Sequence, residues 1–424
     1  MLRARDVAAR AALAPRTLPS LLGRFRLLLG PDPAGARQSL AALGVSLLAS
    51  LVAGFTLGNL QTTLAELPGL LVLVPAAIGM RGTIFGALGS RLSTAIHTGT
   101  FSLTRRADTV VGQNVVAAAT TSLFASLVLA FMAKGVAIAF GLEQTISVAD
   151  FVVISVVAAL LSSAVVLVLT VALAGGSVRY GWDLDNVMAP IVTAAGDMVT
   201  LPAIFLAAQL AGVDILTTTL AVVLGGACVA SLVLALRSGL ALARRIVGES
   251  LPVVLSGGFL GLIAGLTIEK RLDSFVAFPA LLVLVPPFLA SAGSLGGILS
   301  SRLSSGLHLG VVEPALVPPR RARADIALVY VLALPVFALA SVVADVGAFA
   351  GDLASPGPLK MVGVALLGGA VATTFVVLIA YYGTFAAWRF GLDPDTYGIP
   401  IVTSSVDLVG AFALILAIVA LGIA

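Results

Sequence analysis

The chain has 424 residues, 59% hydrophobic and only 10% charged, with a formal net charge of +4 and a mean hydropathy of +1.14. Globular chains carry about 25% charged residues, and one water-facing core cannot bury this much apolar sequence. A soluble enzyme and a nucleic-acid-binding domain are therefore excluded, and a bilayer is left as the solvent. The single cysteine, Cys228, sits inside an apolar run, which excludes disulfide frameworks and multi-cysteine metal sites.

Residues 1–38 form a basic arm carrying Arg3, Arg5, Arg10, Arg16, Arg24, Arg26 and Arg37. It reads as a topology signal on a loosely ordered tail, the alternative being an amphipathic segment lying on anionic lipid. It lacks the uninterrupted apolar stretch of a cleavable signal peptide. Apolar runs then predict membrane helices near 41–60, 67–90, 115–140, 151–175, 187–212, 215–236, 252–268, 276–300, 326–350, 361–386 and 397–423. The predicted class is an all-α integral membrane protein with about eleven transmembrane helices.

Every second loop is basic: Arg105 and Arg106; Arg179; Arg237, Arg244 and Arg245; Arg320, Arg321 and Arg323; Arg389. The intervening loops hold Glu66, Glu143, Asp150, Asp214 and Asp352, with Lys270, Arg271 and Lys360 against the trend. Because basic loops stay inside, the expected location is the cell membrane, with the N-terminus cytoplasmic and the C-terminus outside.

The chain repeats itself. Leu71-Val-Leu-Val-Pro75 recurs as Leu282-Val-Leu-Val-Pro286 at an offset of 211, and Ser90-Arg-Leu-Ser93 as Ser301-Arg-Leu-Ser304. Gly82, Gly86, His97 and Gly99 match Gly293, Gly297, His308 and Gly310. At offset 210, Gly181-x-Asp183-x-Asp185 matches Gly391-x-Asp393-x-Asp395, Pro190-Ile-Val-Thr193 matches Pro400-Ile-Val-Thr403, and Asp197 matches Asp407. Two ordered blocks at one offset mark a duplicated five-helix unit. Five spans would invert a directly fused second copy, and the unmatched helix at 215–236 restores its direction. The expected domains are the arm 1–38, repeat 1 over 39–212, a linker over 213–250 and repeat 2 over 251–424. The two repeats are then parallel and related by a pseudo-two-fold axis along the membrane normal. The chain is a fused pseudo-dimer, since a lone copy would dimerise to make the same object.

Asp197 and Asp407 each fall halfway along the last helix of a repeat, where an ionisable group costs roughly 2.5–3.5 kcal/mol even on a lenient insertion scale. Pro190, Thr193 and Asp197 share one helix face, as do Pro400, Thr403 and Asp407. If both faces meet on the axis, two carboxylates and two hydroxyls line a polar passage. Close carboxylates repel unless a proton or cation lies between them, and a hydrated divalent cation suits hard oxygen ligands with waters retained. The alternative is that each aspartate is internally bonded as bundle glue.

Pro75 and Pro286 are expected to interrupt their helices and free carbonyls. The glycines after them, Gly79, Gly82, Gly86 and Gly89 with Gly293, Gly296 and Gly297, permit an unwound, cavity-lining stretch or close helix packing. Gly82, Thr83, Gly293 and Ser294 are thus candidate pore-lining residues. Arg91 and Arg302 are expected to anchor on lipid phosphate. His97 and His308 are expected to be structural, with metal ligation or pH sensing as the alternative. Asp183, Asp185, Asp393 and Asp395 stand before the Asp-bearing helices as caps or as a cation-concentrating vestibule. Lys134 and Asp345 match at offset 211 with opposite charge and either pair across the axis or reach outward separately.

These motifs together resemble a known family. A proline-led helix running into Ser-Arg-Leu-Ser-Thr (90–94), followed by Asp-x-Asp-Asn (183–186) and Pro-x-x-Thr-x-x-x-Asp (190–197), is similar to the membrane domain of MgtE-type magnesium channels and transporters. The duplicated form resembles their two-domain solute-carrier relatives, over nearly all of residues 40–424. The resemblance implies that Asp197 and Asp407 bind hydrated magnesium in a pore at the two-fold axis. The chain departs from the family at Gly82-Thr83 and Gly293-Ser294, where Gly-Asn is usual, which removes amide oxygens that bear on ion selectivity. The arm is too short for the cytosolic sensor domains of the bacterial channels, so regulation through such domains is not expected.

The function expected is a channel or transporter for a divalent cation, magnesium foremost and other divalent ions besides, with the bilayer as its only other partner and no nucleic acid. The first alternative is a cation-coupled carrier of a small solute, using the aspartates for the driving ion. An intramembrane enzyme has little to build on: two histidines, no Gly-x-Ser-x-Gly elbow and no His-Glu-x-x-His. An aspartyl protease would need two membrane aspartates, but Asp197 and Asp407 lack a Gly-x-Gly-Asp setting. A non-transporting receptor gives no reason for acids at the midplane.

Overall fold

The computed structural model describes residues 33–104, 106–142, 145–180, 184–212, 214–308, 310–390 and 399–423. Side-chain surroundings are described from Gly44 onward, apart from those of 184–190, 214, 305, 308, 399–401 and 403. The arm expected over 1–38 thus lies outside the described residues except for its last helical turns. By contacts the chain divides into Met1–Ala41 and the body Ala42–Ala424.

All regular structure among the described residues is α-helical. Repeat 1 consists of α1 (Pro33–Gly58), α2 (Gln61–Glu66), α3 (Leu70–His97), α4 (Val110–Ala139), α5 (Val148–Tyr180) and α6 (Leu184–Ala208). The unmatched α7 (Asp214–Arg237) follows. Repeat 2 consists of α8 (Ala241–Glu269), α9 (Leu272–Ala277), α10 (Ala280–His308), α11 (Arg320–Ala350), α12 (Pro358–Arg389) and α13 (Ile399–Ala420). Among the described residues nine helices are long and apolar enough to cross a membrane, and Gly44–Gly58 and Ser404–Ala420 are shorter apolar stretches of α1 and α13. The eleven predicted spans are thus all present as helices.

The duplication extends to features too short to read from hydropathy. The six-residue helices α2 and α9 fall at the 211 offset and pack on each other. The left-handed turns recur as well: Gly99 (φ 71°) with Gly310 (φ 65°), and Gly141 (φ 78°) with Asp352 (φ 53°). Asp352 is the one non-glycine in that region among the described residues, and the short Asp side chain tolerates it better than most.

Within each repeat the second helix packs on the third, fourth and fifth. α3 packs on α4, α5 and α6, and α10 on α11, α12 and α13. The first helices are exchanged. α8 lies against α3 of the other repeat and α13 of its own, while Gly54 and Gly58 of α1 abut Val283 of α10. The contacts are reciprocal: Gly54 meets the Val283 carbonyl, and Gly265, its counterpart, meets that of Val72. Reciprocity of this kind is what a two-fold relation generates.

Pro75 and Pro286 do not break their helices, contrary to the expectation; α3 and α10 run through them. Both stand within the first two turns, where few intrahelical bonds are lost. Pro75 withholds an N–H from the Leu71 carbonyl, and a side chain on Gly265 would crowd that oxygen and its Val72 neighbour. Pro287 leaves the Val283 carbonyl free in the same way, and Gly54 approaches it. Proline exposes a carbonyl and a glycine of the other repeat closes on it, a geometry suited to Cα–H···O contact.

The linker helix α7 rests on α4 and α5 of repeat 1 and turns most of its apolar surface outward, with Ile215 85% and Val222 70% exposed. Such a face is suited to contact with lipid tails.

Candidate functional site

Six helices frame the inter-repeat region: α1, α3 and α6 with α8, α10 and α13. Asp197 of α6 is 5% exposed and accepts a hydrogen bond from Ser50 Oγ of α1 at 3.2 Å. Asp407 of α13 is half-buried, with Oδ2 3.2 Å from where a side chain on Gly79 of α3 would begin. A final-helix acid of one repeat is thus seated against the proline helix of the other, and Gly79 makes the room. Both acids border the same stretch of α3: Asp407 at Gly79, and Gly196, the neighbour of Asp197, at Arg81 Cβ and the Gly82 nitrogen. Neither makes an ion pair among the described residues.

Small and hydroxyl residues that are exposed or partly exposed recur along α3 at Gly79, Thr83, Gly86 and Ser90, beside partly exposed Ile78, Gly82 and Ala87. Those of α10 recur likewise at Gly293, Ser294, Gly297 and Ser301. A side chain added at Gly86, Gly293 or Gly297 would meet no atom within 4 Å. Each proline helix therefore carries an open stripe of small and hydroxyl residues that leads from the depth of the aspartates to the Ser-Arg-Leu-Ser end. The hydroxyl of Thr83 is tied to the Gly79 carbonyl at 3.0 Å.

Of the other candidates, Gly82 is occupied by packing. Thr193 turns its methyl toward it, 3.3 Å from the position of an added side chain, which joins α3 to α6. Pro190 and Pro400 lie in α6 and α13, but their side chains, and that of Thr403, are outside the described residues. Asp183, Asp393 and Asp395 are also outside them, and Asp185 falls in the first turn of α6 with its side chain undescribed. His97 ends α3 on an exposed turn, and the side chain of His308 is not described. Among the described residues no three His, Cys, Asp or Glu side chains gather in a metal-holding group. An ion at the aspartate pair would keep much of its water.

Two expectations change. Arg91 and Arg302 are not committed to lipid: Arg91 Nε donates to Asn114 Oδ1 at 2.9 Å, and Arg302 Nε pairs with Asp325 Oδ1 at 2.6 Å. Asn114 and Asp325 are themselves matched at offset 211, so one helix tie is built twice in two chemistries. Lys134 and Asp345 do not pair across the axis. Lys134 Nζ holds Thr145 Oγ1 at 2.6 Å and the Ile146 carbonyl at 2.9 Å, while Asp345 accepts from Ser355 Oγ at 2.5 Å. Each clasps the loop that follows its own helix.

Sequence reasoning missed Ser50, Glu269 and Arg81. Ser50 has glycine, Gly261, as its counterpart, so the duplication gives no pointer to it. Glu269 is buried and accepts from the backbone of Gly69 at 2.7 Å and Leu71 at 3.2 Å, which caps α3 from the other repeat. Arg81 carried a signal that the loop count passes over: a charge inside a predicted span.

Comparison with known proteins follows the same division. The family model described as MgtE, divalent cation transporter, matches residues 74–207 and again 285–417, together well over half of the chain and at the spacing of the repeats. Solute carrier family 41 member 3 of Rattus norvegicus is 24% identical over 401 residues, covering 87% of this chain and 83% of the relative. Solute carrier family 41 member 2 of Mus musculus is 26% identical over 382 residues, covering 81% of this chain and 63% of the relative. The Homo sapiens member 2 is 26% identical over 393 residues, with the same coverage. No solved structure matches the chain. With one family match in each repeat, and with relatives that align across both, the chain belongs to the MgtE family of divalent cation transporters as a two-repeat membrane protein.

Proposed function

We propose that the chain moves a hydrated divalent cation, magnesium foremost, through a membrane along the interface of its two repeats, with Asp197 and Asp407 as the residues that hold the ion. The observation that carries this reading is the placement of the two acids. They come from equivalent positions, border the same stretch of α3 and, among the described residues, have the Ser50 hydroxyl as polar support. Leaving two carboxylates at this depth is unfavourable without a counter-charge. A doubly positive ion with retained waters supplies it, since magnesium is commonly held by one or two carboxylates and keeps the rest of its hydration shell.

The open stripes on α3 and α10 offer the ion a route lined by Thr83, Ser90, Ser294 and Ser301 toward the Ser-Arg-Leu-Ser end. Asp183, Asp185, Asp393 and Asp395 would concentrate cations at that mouth. The excess of arginine in alternate loops makes this the cytoplasmic side of the cell membrane, with the N-terminus inside and the C-terminus outside. Substituting Asp197→Asn and Asp407→Asn keeps the side-chain size and removes both charges. Magnesium flux into proteoliposomes should then fall to the level of empty vesicles. Undiminished flux in the double variant ends the proposal. Flux of a monovalent ion or small solute that depends on the aspartates, with no magnesium binding, would establish the coupled-carrier alternative instead.

A further inference from the structure

The aspartate pair is not the whole charge inventory at its depth. Arg81 of α3 lies two residues beyond Gly79 and is 1% exposed. Its Cβ is 3.4 Å from where a side chain on Gly196, the neighbour of Asp197, would begin. The guanidinium is directed to α4 and α5. Nε donates to Ser162 Oγ at 3.0 Å, Nη1 to Ser122 Oγ at 2.7 Å and Nη2 to Ser126 Oγ at 3.1 Å. The three hydroxyls are fixed in turn. Ser122 bonds Ser163 at 2.6 Å, Ser126 donates to the Ser122 carbonyl at 2.8 Å, and Ser162 donates to the Ala158 carbonyl at 2.6 Å. Among the described residues no carboxylate stands within ion-pair distance of Arg81.

Packing does not require this cage. In repeat 2 the positions of Arg81, Ser122, Ser126 and Ser162 are Ala292, Ala333, Phe337 and Ala372, all buried. The space is filled by Phe337 against Phe288, with ring centroids 4.8 Å apart. One sequence thus builds the same helix junction twice, once apolar and once around a charge. The apolar form is the cheaper, since hydrogen bonds to neutral partners offset only part of the desolvation cost of a buried ion.

Counting fixed charges shows what Arg81 changes. With both carboxylates ionised, the core carries −1 when empty and +1 when it holds a divalent cation. Without the arginine it would carry −2 and 0. The cost of a net charge in a low-dielectric interior grows as its square, so the arginine stabilises the empty state and disfavours the loaded one. We propose that Arg81 is a built-in counter-charge of the cation path, held off the aspartates by its serine cage, that weakens cation retention and permits release. This rests on the reading that Asp197 and Asp407 hold the ion.

The test uses magnesium titration of the purified full chain by calorimetry, together with flux in proteoliposomes. R81M removes the charge. A second variant, R81A/S122A/S126F, copies the apolar junction that repeat 2 already displays, and carries the test if R81M does not fold. R81K keeps the charge. Damage to a site loosens binding, whereas loss of a counter-charge tightens it. The charge-free variants should therefore bind magnesium at least about tenfold more tightly, with lower KM and slower maximal flux, and R81K should stay near the wild type. Unchanged or weaker binding in a folded charge-free variant overturns the proposal, as does R81K behaving like R81M. D407N is measured alongside. If it binds magnesium as the wild type does, both readings fall; if its binding is lost while the Arg81 variants are unaffected, only the counter-charge is wrong.

Discussion

The exchanged first helices predict opposite outcomes for the same substitution at different glycines. Gly261 of α8 faces the backbone of α3: a methyl there would stand 2.7 Å from Ala76 Cα and 3.0 Å from its nitrogen. Carbon atoms rest about 3.5–4.0 Å apart, so Gly261→Ala forces the helices apart by roughly 1 Å. Neither partner is a flexible side-chain tip, so the cost belongs at the upper part of the usual overpacking range of about 1–3 kcal/mol. The gain in helix propensity from glycine to alanine returns only about 1 kcal/mol. Gly86 and Gly293 meet nothing within 4 Å, so Ala at either keeps that gain and stabilises. Heat unfolding of the purified chain in detergent, followed by near-ultraviolet circular dichroism, should show Gly261→Ala below the wild type and Gly86→Ala and Gly293→Ala at or above it. Equal midpoints for all three would refute the close inter-repeat seam. Valine at Gly86 or Gly293 extends the comparison to function: such variants should fold normally and pass less magnesium, since the added methyls enter the open stripe.

Two further substitutions probe cross-repeat and within-repeat ties. Glu269→Ala leaves the Gly69 and Leu71 amides at the start of α3 unpaired, and charge-assisted bonds of this kind contribute about 1.5–3 kcal/mol each; denaturation midpoints should fall clearly, and a midpoint equal to the wild type would show that the cap is dispensable. Asn114→Asp gives Arg91 the partner that Arg302 already has. Asn114 is 2% exposed and its amide also donates to the Val110 carbonyl at 2.9 Å, so desolvation and that lost bond offset the charge gained, and the midpoint should change by no more than about 1 kcal/mol either way; a larger loss would mean that the two ties are not equivalent.

The helices were legible because a bilayer demands long apolar runs, and the duplication was legible because Leu-Val-Leu-Val-Pro and Pro-Ile-Val-Thr survive in both copies. Asp197 and Asp407 stood out for the same reason, as matched charges in apolar surroundings. The side chains that escaped are those in which the copies differ. Ser50 faces Asp197 where the other copy has Gly261, and Arg81 has only alanine as its counterpart, so a search for matches passes over both. The continuity of α3 and α10 through their prolines was hidden for another reason. Whether a proline breaks a helix depends on what receives the freed carbonyl, and Gly265 and Gly54 come from the opposite half of the chain. The helices α2 and α9 are shorter than the window in which a 3.6-residue period can be seen.

The trade of α1 and α8 has a consequence for how such a molecule is made and divided. A fragment cut before Asp214 would leave the groove on α3, where Gly261 and Gly265 belong, bare down to the peptide backbone, while its own α1 would lose its seat on α10 and keep its tie to α6 through Ser50. Neither half is a self-sufficient module. The first half to leave the ribosome must wait with an unfilled seat until residues beyond 240 have been synthesised, and the covalent join through α7 keeps the awaited helix within reach.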